Sequence, residues 1–281
     1  MHSWGMVDDH IVTPAAVGSA RDPSFLRAVR PVLERYASYF RPEVRGFEHL
    51  PQRGPFLVVG NHSGGQTPPD LPVLLTAWWR ERGEEEPVYA LFHSFFLGLP
   101  GVGPVMKRAG AVEAGPAVAE AVLRSGGILI DYPGGDSEVF RPWWERNRIE
   151  FGGRLGVVRL ALRTGVPVIP AVSVGAHEAL VVLARGERVA KWLRLDRMFR
   201  IKVMPLVLGP PFGVVPGGIP TFPLPAKITV ELGPPMDWSS RYAPDAADDE
   251  MIVRACYQEL TETMQTTLDR LAAERRFPIL G

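Results

Sequence analysis

Phe56-Leu57-Val58-Val59-Gly60-Asn61-His62-Ser63-Gly64-Gly65-Gln66-Thr67-Pro68-Pro69-Asp70, followed by Leu71-Pro72-Val73-Leu74-Leu75-Thr76-Ala77-Trp78-Trp79, decides the fold class. An apolar run bounded by Gly and Pro reads as a buried strand, and the longer run after Asp70 reads as a helix. Strand-like runs recur at 56–60, 87–92, 128–132, 166–174, 201–208 and 227–232, with helical patterns at 70–81, 115–125 and 154–164 between several of them. Strands alternating with helices predict an α/β fold: a mostly parallel, mixed sheet flanked by helices. A histidine on a Gly-rich turn at a strand end, with a carboxylate near the next helix start, stands where open α/β sheets place their chemistry.

Outward from this centre, the ends read as helical. Asp22-Pro23 supplies an N-cap and a proline at the first helical position. Leu26, Val29, Leu33, Tyr36 and Phe40 then form an amphipathic stripe, inside which Pro31 is expected to kink or split the helix. Residues 1–21 are expected to be irregular. Val253, Tyr257, Leu260, Met264, Leu268 and Leu271 make a second stripe, predicting a C-terminal helix. Residues 209–225, dense in Pro and Gly, are expected to hold no regular structure. The division this predicts is an arm with its amphipathic helix over 1–45 and an α/β domain over 46–281.

The 281 residues carry 31 basic and 31 acidic side chains, so net charge gives no argument for nucleic acid as a partner. A single cysteine, Cys256, rules out an internal disulfide and a cysteine-rich metal site, and fits a reducing compartment. His177-Glu178 lacks the second histidine of a zinc helix, so no metal is expected. The first residues lack the basic and apolar regions of a signal peptide, and no apolar run is long enough to span a bilayer. Peripheral contact with a membrane remains open. Between Arg21 and Arg45 there are six arginines against three acids, and the helix at 23–40 is the better candidate for it, since a lipid acceptor requires some interfacial surface. If that helix is the contact, deleting residues 1–40 should lower vesicle binding more than folding. Arg185, Arg188, Lys191, Arg194, Arg197 and Arg200, with Trp192, Leu195 and Phe199 on one face of a helix, make a second candidate. The alternative there is an apolar stripe turned to the core with its arginines in water.

Two segments have the residue types for chemistry. A neutral imidazole can take a proton from a hydroxyl when a carboxylate fixes its tautomer and stabilises the imidazolium. His62 and Asp70 are such a pair if the seven intervening residues, with Gly64, Gly65, Pro68 and Pro69, fold back. Otherwise His62 is a turn histidine and Asp70 a helix cap. The second segment runs from Ile128 through Asp131-Tyr132-Pro133-Gly134-Gly135-Asp136-Ser137-Glu138 to Arg141. Its turn could hold a phosphate or an oxyanion on backbone N–H groups, with a bidentate contact from Arg141, or it is a strand-end turn with solvated charges. Arg154, after Phe151-Gly152-Gly153, either supports a sheet contact or reaches a substrate.

Taken in order, Asn61-His62 after a strand, an acid beyond it, the aromatic-Pro-x-Gly turn at Tyr132–Gly135, and Val166-Pro167-Val168-Ile169-Pro170-Ala171 after a helix ending in Thr-Gly resemble the PlsC-type glycerolipid acyltransferases. The resemblance spans roughly residues 45–235. It implies that His62 is the general base that deprotonates an acceptor hydroxyl, which then attacks the thioester of acyl-CoA or an acyl-carrier protein. Asp70 would orient His62. Asn61, Tyr132, Pro133, Gly134, Gly135, Asp136, Glu138 and Arg141 would lie on the substrate side. The acceptor would be a glycerolipid: a lysophospholipid, glycerol phosphate or diacylglycerol. No cofactor is implied beyond the acyl donor, and the protein would work at the cytoplasmic side of a membrane surface.

Three positions depart from the family pattern. The usual spacing would put the acid at Thr67, so the role passes to Asp70. Gly134 stands where a glutamate is usual, with Asp136 or Glu138 as replacements. The usual phosphate-binding arginine has no clear counterpart, and Lys107 and Arg108 are the nearest candidates. The Pro-Gly-Gly variant resembles the branch associated with neutral acceptors. A hydrolase using the same pair on water and a catalytically inactive lipid-binding protein are the competing readings.

Overall fold

The computed structural model describes residues 19–65, 68–192, 194, 204–217, 219 and 221–277. The strand alternation that makes β2 (Phe56–Gly60) buried at every position also divides the core. Phe56 and Val58 point to one side of the sheet, and Leu57 and Val59 to the other. β5 (Ile128–Asp131) and β6 (Val168–Val174) repeat this pattern, as strands covered on both faces do.

Around them a seven-stranded sheet runs in the order β1-β10-β6-β2-β5-β3-β4, with β1 at Glu43–Arg45, β3 at Val88–Phe92, β4 at Ala111–Glu113 and β10 at Thr229–Leu232. β6, β2, β5, β3 and β4 are mutually parallel. β10 is antiparallel to β6, and β1 is parallel to β10. The fold is therefore α/β with a mostly parallel mixed sheet. α1 (Pro23–Ser38) and α2 (Asp70–Arg82) cover one face. α5 (Pro116–Arg124), α7 (Gly156–Thr164) and the C-terminal α10 (Glu250–Ala273) cover the other. Cys256 lies buried in this second layer.

Asp22 caps α1 by accepting from the N–H of Phe25 at 3.0 Å, as its sequence predicts. The helix nevertheless runs unbroken through Pro31. Pro31 and Arg27, whose carbonyl loses its partner to the ring, are both exposed, so water can satisfy that carbonyl. The apolar stripe of α1 does not face outward. Leu26, Ala37 and Phe40 are buried, the last two in the core that α2 shares. Arg21, just before the helix, donates to the carbonyls of Glu84 and Glu86 at 2.5 and 2.6 Å.

A second sheet, β7 (Val181–Ala184), β8 (Leu206–Gly209) and β9 (Gly213–Pro216), is antiparallel. It corrects the expectation that 209–225 holds no regular structure. Among the described residues β9 pairs with β8 alone, an edge where a proline such as Pro216 removes no ladder hydrogen bond, and Gly213 at φ +76° closes the hairpin. Of the expected helix over 185–200, α9 (Glu187–Trp192) is present, while 193 and 195–200 lie outside the described residues, as do 1–18. The first residues of the strand expected at 201–208 lie outside them too. No described helix is long and apolar enough to cross a membrane.

Candidate active site

β2, β5 and β6 end together on one edge of the sheet, and the site is built where they end. The backbone ladder is prolonged one residue past β2 by a side chain. Asn61, buried, donates from Nδ2 to the carbonyl of Ser173 on β6 at 2.9 Å, and its Oδ1 accepts the Ser173 N–H at 2.7 Å. This two-way clasp fixes the direction of the next residue, His62. Gly64 and Gly65 then adopt left-handed φ values of +96° and +76°, which reverse the chain. A Cβ on Gly65 would overlap Leu180, so the returning loop lies directly against the segment leading into β7.

The reversal delivers Asp70 to the first position of α2, where it is 1 % exposed. Its Oδ2 lies 3.1 Å from His62 Nδ1 and accepts the Ser63 N–H at 3.0 Å, while Oδ1 accepts the Leu71 N–H at 2.8 Å. With Nδ1 holding the proton toward Asp70, Nε2 carries a lone pair. The His62 ring stacks on Tyr132 from the end of β5, centroids 4.5 Å apart and planes at 26°. Gly60 leaves room for that ring, since a Cβ there would strike it.

Burial works against a charged His62, yet Asp70, then Glu138 and Asp131, outweigh it and hold the imidazole pKa above its ordinary value. Asp131, which sequence reasoning did not select, is pushed up to about 6 by burial. Its signal was a carboxylate closing an otherwise apolar strand. Tyr132 is raised well above the phenol range, again by burial, so it stays neutral. A neutral imidazole held in one tautomer by a buried carboxylate, beside a neutral phenol, is suited to removing a proton from a hydroxyl.

The Pro-Gly-Gly turn sits beneath this pair. Pro133 and Gly134 are buried, and Arg154 Nη1 donates to both of their carbonyls at 2.6 Å, so Arg154 supports the turn. Gly135 opens α6 (Gly135–Val139). Asp136 lies on that helix, and its side chain is outside the described part.

Glu138 is not on the substrate side. It is fully buried, with Oε2 accepting the His62 N–H at 2.9 Å and Oε1 accepting the Glu150 N–H at 3.3 Å. Its carboxylate fills the space that a side chain at 134 would need, because a Cβ on Gly134 would overlap it. Burial pushes Glu138 up to about 7, with Arg141 and the two N–H donors pulling the other way.

Arg141 departs from its expected place as well. It has no exposure, and its guanidinium is held by Glu138 at 3.4 Å, the carbonyl of Arg148, and His177 Nε2 at 2.8 Å. A group so enclosed does not reach a headgroup. His177 accepts there as a neutral imidazole, its pKa driven well down by burial and then by Arg141.

Lys107 and Arg108 end α4 (Val102–Arg108), which leads into the N-terminal end of β4. They therefore lie at the edge of the sheet opposite His62. Arg108 pairs with Asp22 at 2.7 Å and lies over the Phe25 ring, and Lys107 is exposed. The structure brings neither to the site. It brings instead Ser173, a lone hydroxyl in a seven-residue buried strand, Asp131, the carboxylate that closes β5, and the backbone N–H of Glu150, which had no signal in sequence. Among the described residues no group of three or more His, Cys, Asp or Glu side chains is placed to hold a metal.

Comparison with known proteins bears on this geometry. A family model described as Acyltransferase matches residues 41–174, which include β2, the His62 turn, α2, β5, the Pro-Gly-Gly turn and β6. An uncharacterised protein of Mycobacterium tuberculosis is 33 % identical over 262 residues, 92 % of this chain and 70 % of that protein. A Bos taurus protein named "DGAT1/2-independent enzyme synthesizing storage lipids" is 27 % identical over 199 residues, 71 % of this chain and 53 % of the bovine one. The 1-acyl-sn-glycerophosphate acyltransferase PlsC of Thermotoga maritima shares the fold, with a TM-score of 0.56 at 18 % identity over 88 % of this chain and 80 % of that one. With the family model lying over the His62 turn, α2, the Pro-Gly-Gly turn and β6, and the mycobacterial relationship extending along nearly the whole chain, this protein belongs to the acyltransferase family, on a fold that PlsC shares.

Proposed function

We propose that this protein transfers a fatty acyl group from an acyl-CoA or acyl-carrier-protein thioester to a hydroxyl of a glycerolipid, with His62 as the general base. The observation that carries this reading is the His62 Nδ1–Asp70 Oδ2 contact of 3.1 Å, made across a longer loop than the family's usual spacing. His62 Nε2 takes the proton of the acceptor hydroxyl as its oxygen attacks the thioester carbonyl. Asp70 stabilises the imidazolium so formed, which then gives its proton to the departing thiolate. Backbone N–H groups of the glycine-rich turns are the candidate donors to the oxyanion.

A neutral acceptor such as diacylglycerol fits better than a phosphorylated one. The cations expected to hold a phosphate lie elsewhere: Arg141 is enclosed, and Lys107 and Arg108 are at the far edge of the sheet. The bovine relative's name, which concerns storage lipids, points the same way.

The test is release of free thiol from acyl-CoA with and without diacylglycerol or lysophosphatidic acid. Acceptor-dependent release, lowered about 10²–10⁴-fold in His62→Ala, is expected. Release that ignores the acceptor would make the protein a hydrolase, and more than about a tenth of wild-type activity in His62→Ala would remove His62 from the mechanism.

A further inference from the structure

The polar chain beneath His62 does not end at Glu138. It runs from the His62 N–H to Glu138 Oε2 at 2.9 Å, from Glu138 Oε1 to Arg141 Nη1 at 3.4 Å, and from Arg141 Nη2 to His177 Nε2 at 2.8 Å. His177 lies on α8 (Ala176–Ala179), the short helix that follows β6. That helix comes back to the turn where the chain of contacts began. A Cβ on Gly64 would stand 3.0 Å from the Ala176 carbonyl, and one on Gly65 would overlap Leu180 just past α8. The circuit therefore closes. Both ends of the turn that follows His62 rest on it, one through a hydrogen bond and the other through backbone packing.

α8 is itself held from outside. Glu178 is buried and pairs with Arg275, just past α10, at 3.2 Å and with Arg146 at 3.5 Å. Two consecutive residues of a four-residue helix are thus buried and each is bound to an arginine. Stability does not explain so many enclosed polar groups. Desolvation offsets most of the attraction in a buried ion pair, and apolar side chains of equal volume serve stability as well. Apolar side chains cannot accept the His62 N–H in a fixed direction. Glu138 can, once Arg141 holds its other oxygen and removes its freedom to turn. Arg141 in turn is fixed by His177, which accepts as a neutral ring because burial and then Arg141 drive its pKa down.

We propose that Arg141 and His177 are positioning residues for His62: through Glu138 they set the direction of the His62 backbone, and through α8 they support the glycine turn that carries the chain back to Asp70. The catalytic consequence rests on the acyl-transfer reading, whereas the bracing of the turn does not. Two readouts on the full chain therefore test it, acceptor-dependent thiol release from acyl-CoA and hydrogen exchange at the His62 amide. His177→Leu and Arg141→Met are expected to lower kcat at least about tenfold, since a small misplacement of a base costs up to roughly 10²-fold. KM for acyl-CoA should stay within about twofold, because neither side chain touches substrate. The His62 amide should exchange at least about tenfold faster in both variants. His177→Gln, whose side-chain oxygen can accept from Arg141 in place of Nε2, should restore both kcat and protection to within about threefold of wild type. If either single variant fails to fold, Glu138→Gln/Arg141→Met removes both buried charges together and carries the same expectation. Folded variants with wild-type kcat and wild-type His62 exchange would overturn the proposal. So would His177→Gln as impaired as His177→Leu, or a raised KM with kcat unchanged, which would make these side chains substrate contacts. Wild type that shows the expected exchange pattern across the variants but no acceptor-dependent thiol release would support the brace and count against the acyl-transfer reading.

Discussion

Replacing Asp70 by Asn removes one charge and reverses one hydrogen bond without changing side-chain volume. The carboxylate takes three bonds, from His62 Nδ1, the Ser63 N–H and the Leu71 N–H. The Leu71 N–H holds one oxygen while the Ser63 N–H and Nδ1 share the other, so an asparagine whose oxygen stays on Leu71 turns its NH₂ toward both Nδ1 and the Ser63 N–H. A donor there imposes the other tautomer, with the proton on Nε2 and no lone pair for the acceptor hydroxyl. The lost electrostatic stabilisation is large. Unit charges at the 3.1 Å of this pair attract by roughly 5 kcal/mol at an effective dielectric constant of about 20, and the two backbone N–H groups already take part of that charge. A loss of about 3–5 kcal/mol in the transition state corresponds to roughly 10²–10⁴ in kcat. The assay is acceptor-dependent thiol release across pH, with melting temperature as the control for folding. In wild type the base is competent only when neutral, so activity rises as pH rises through the His62 pKa, which lies above its ordinary value of about 6.5. Without the Asp70 charge that limb moves to lower pH while the plateau falls. A folded Asp70→Asn protein with more than about a tenth of wild-type activity, or with an unmoved acidic limb, would refute the pairing as a catalytic device.

Other perturbations read different parts of the same structure. Glu138 is raised from about 4.5 to about 7 on folding, so its contribution to stability is full below about 4.5 and is lost as pH climbs through about 7, up to roughly 3 kcal/mol. The unfolding free energy of wild type minus that of Glu138→Gln should accordingly fall between about pH 5 and about pH 8 in denaturant titrations, and a constant difference would contradict the buried carboxylate. Gly60→Ala forces a methyl group into the Tyr132 ring. It is expected to cost about 1–3 kcal/mol of stability and to lower kcat through the displaced ring that backs His62, read by melts and by turnover.

The centre of the fold was legible because its signals were local. β2 spans Phe56–Gly60 as its apolar run predicts, and α2 begins at Asp70, where the run of polar and turn residues stops. What escaped had non-local causes. β1 and β4 are three-residue strands whose only claim to be strands is the partner beside them. β9 exists because the hairpin geometry tolerates Pro216 at an edge. At the site, residue types and order pointed to the His62 turn and the Tyr132–Gly135 turn, and the structure sets the two against each other. Sequence could not say which polar groups face inward. Arg141 looked like a hand for phosphate and is instead a fully buried strut between Glu138 and His177, two residues past the end of α6. The placement of Lys107 and Arg108 at the far edge followed from strand direction, which no local pattern encodes.

The carboxylate of Glu138 and the bare Cα of Gly134 have a consequence for how such sequences diverge. One helical turn separates the two positions, and a single volume under the His62 backbone serves both. An acid may be drawn into that volume from either anchor, but not from both at once. The two sites therefore behave as one coupled variable. A lineage that moves the acid between them must pass through an intermediate with two side chains in one space or with none, and either intermediate leaves the His62 turn poorly supported. In this chain the volume is filled once, by Glu138, and Gly134 is bare because of it.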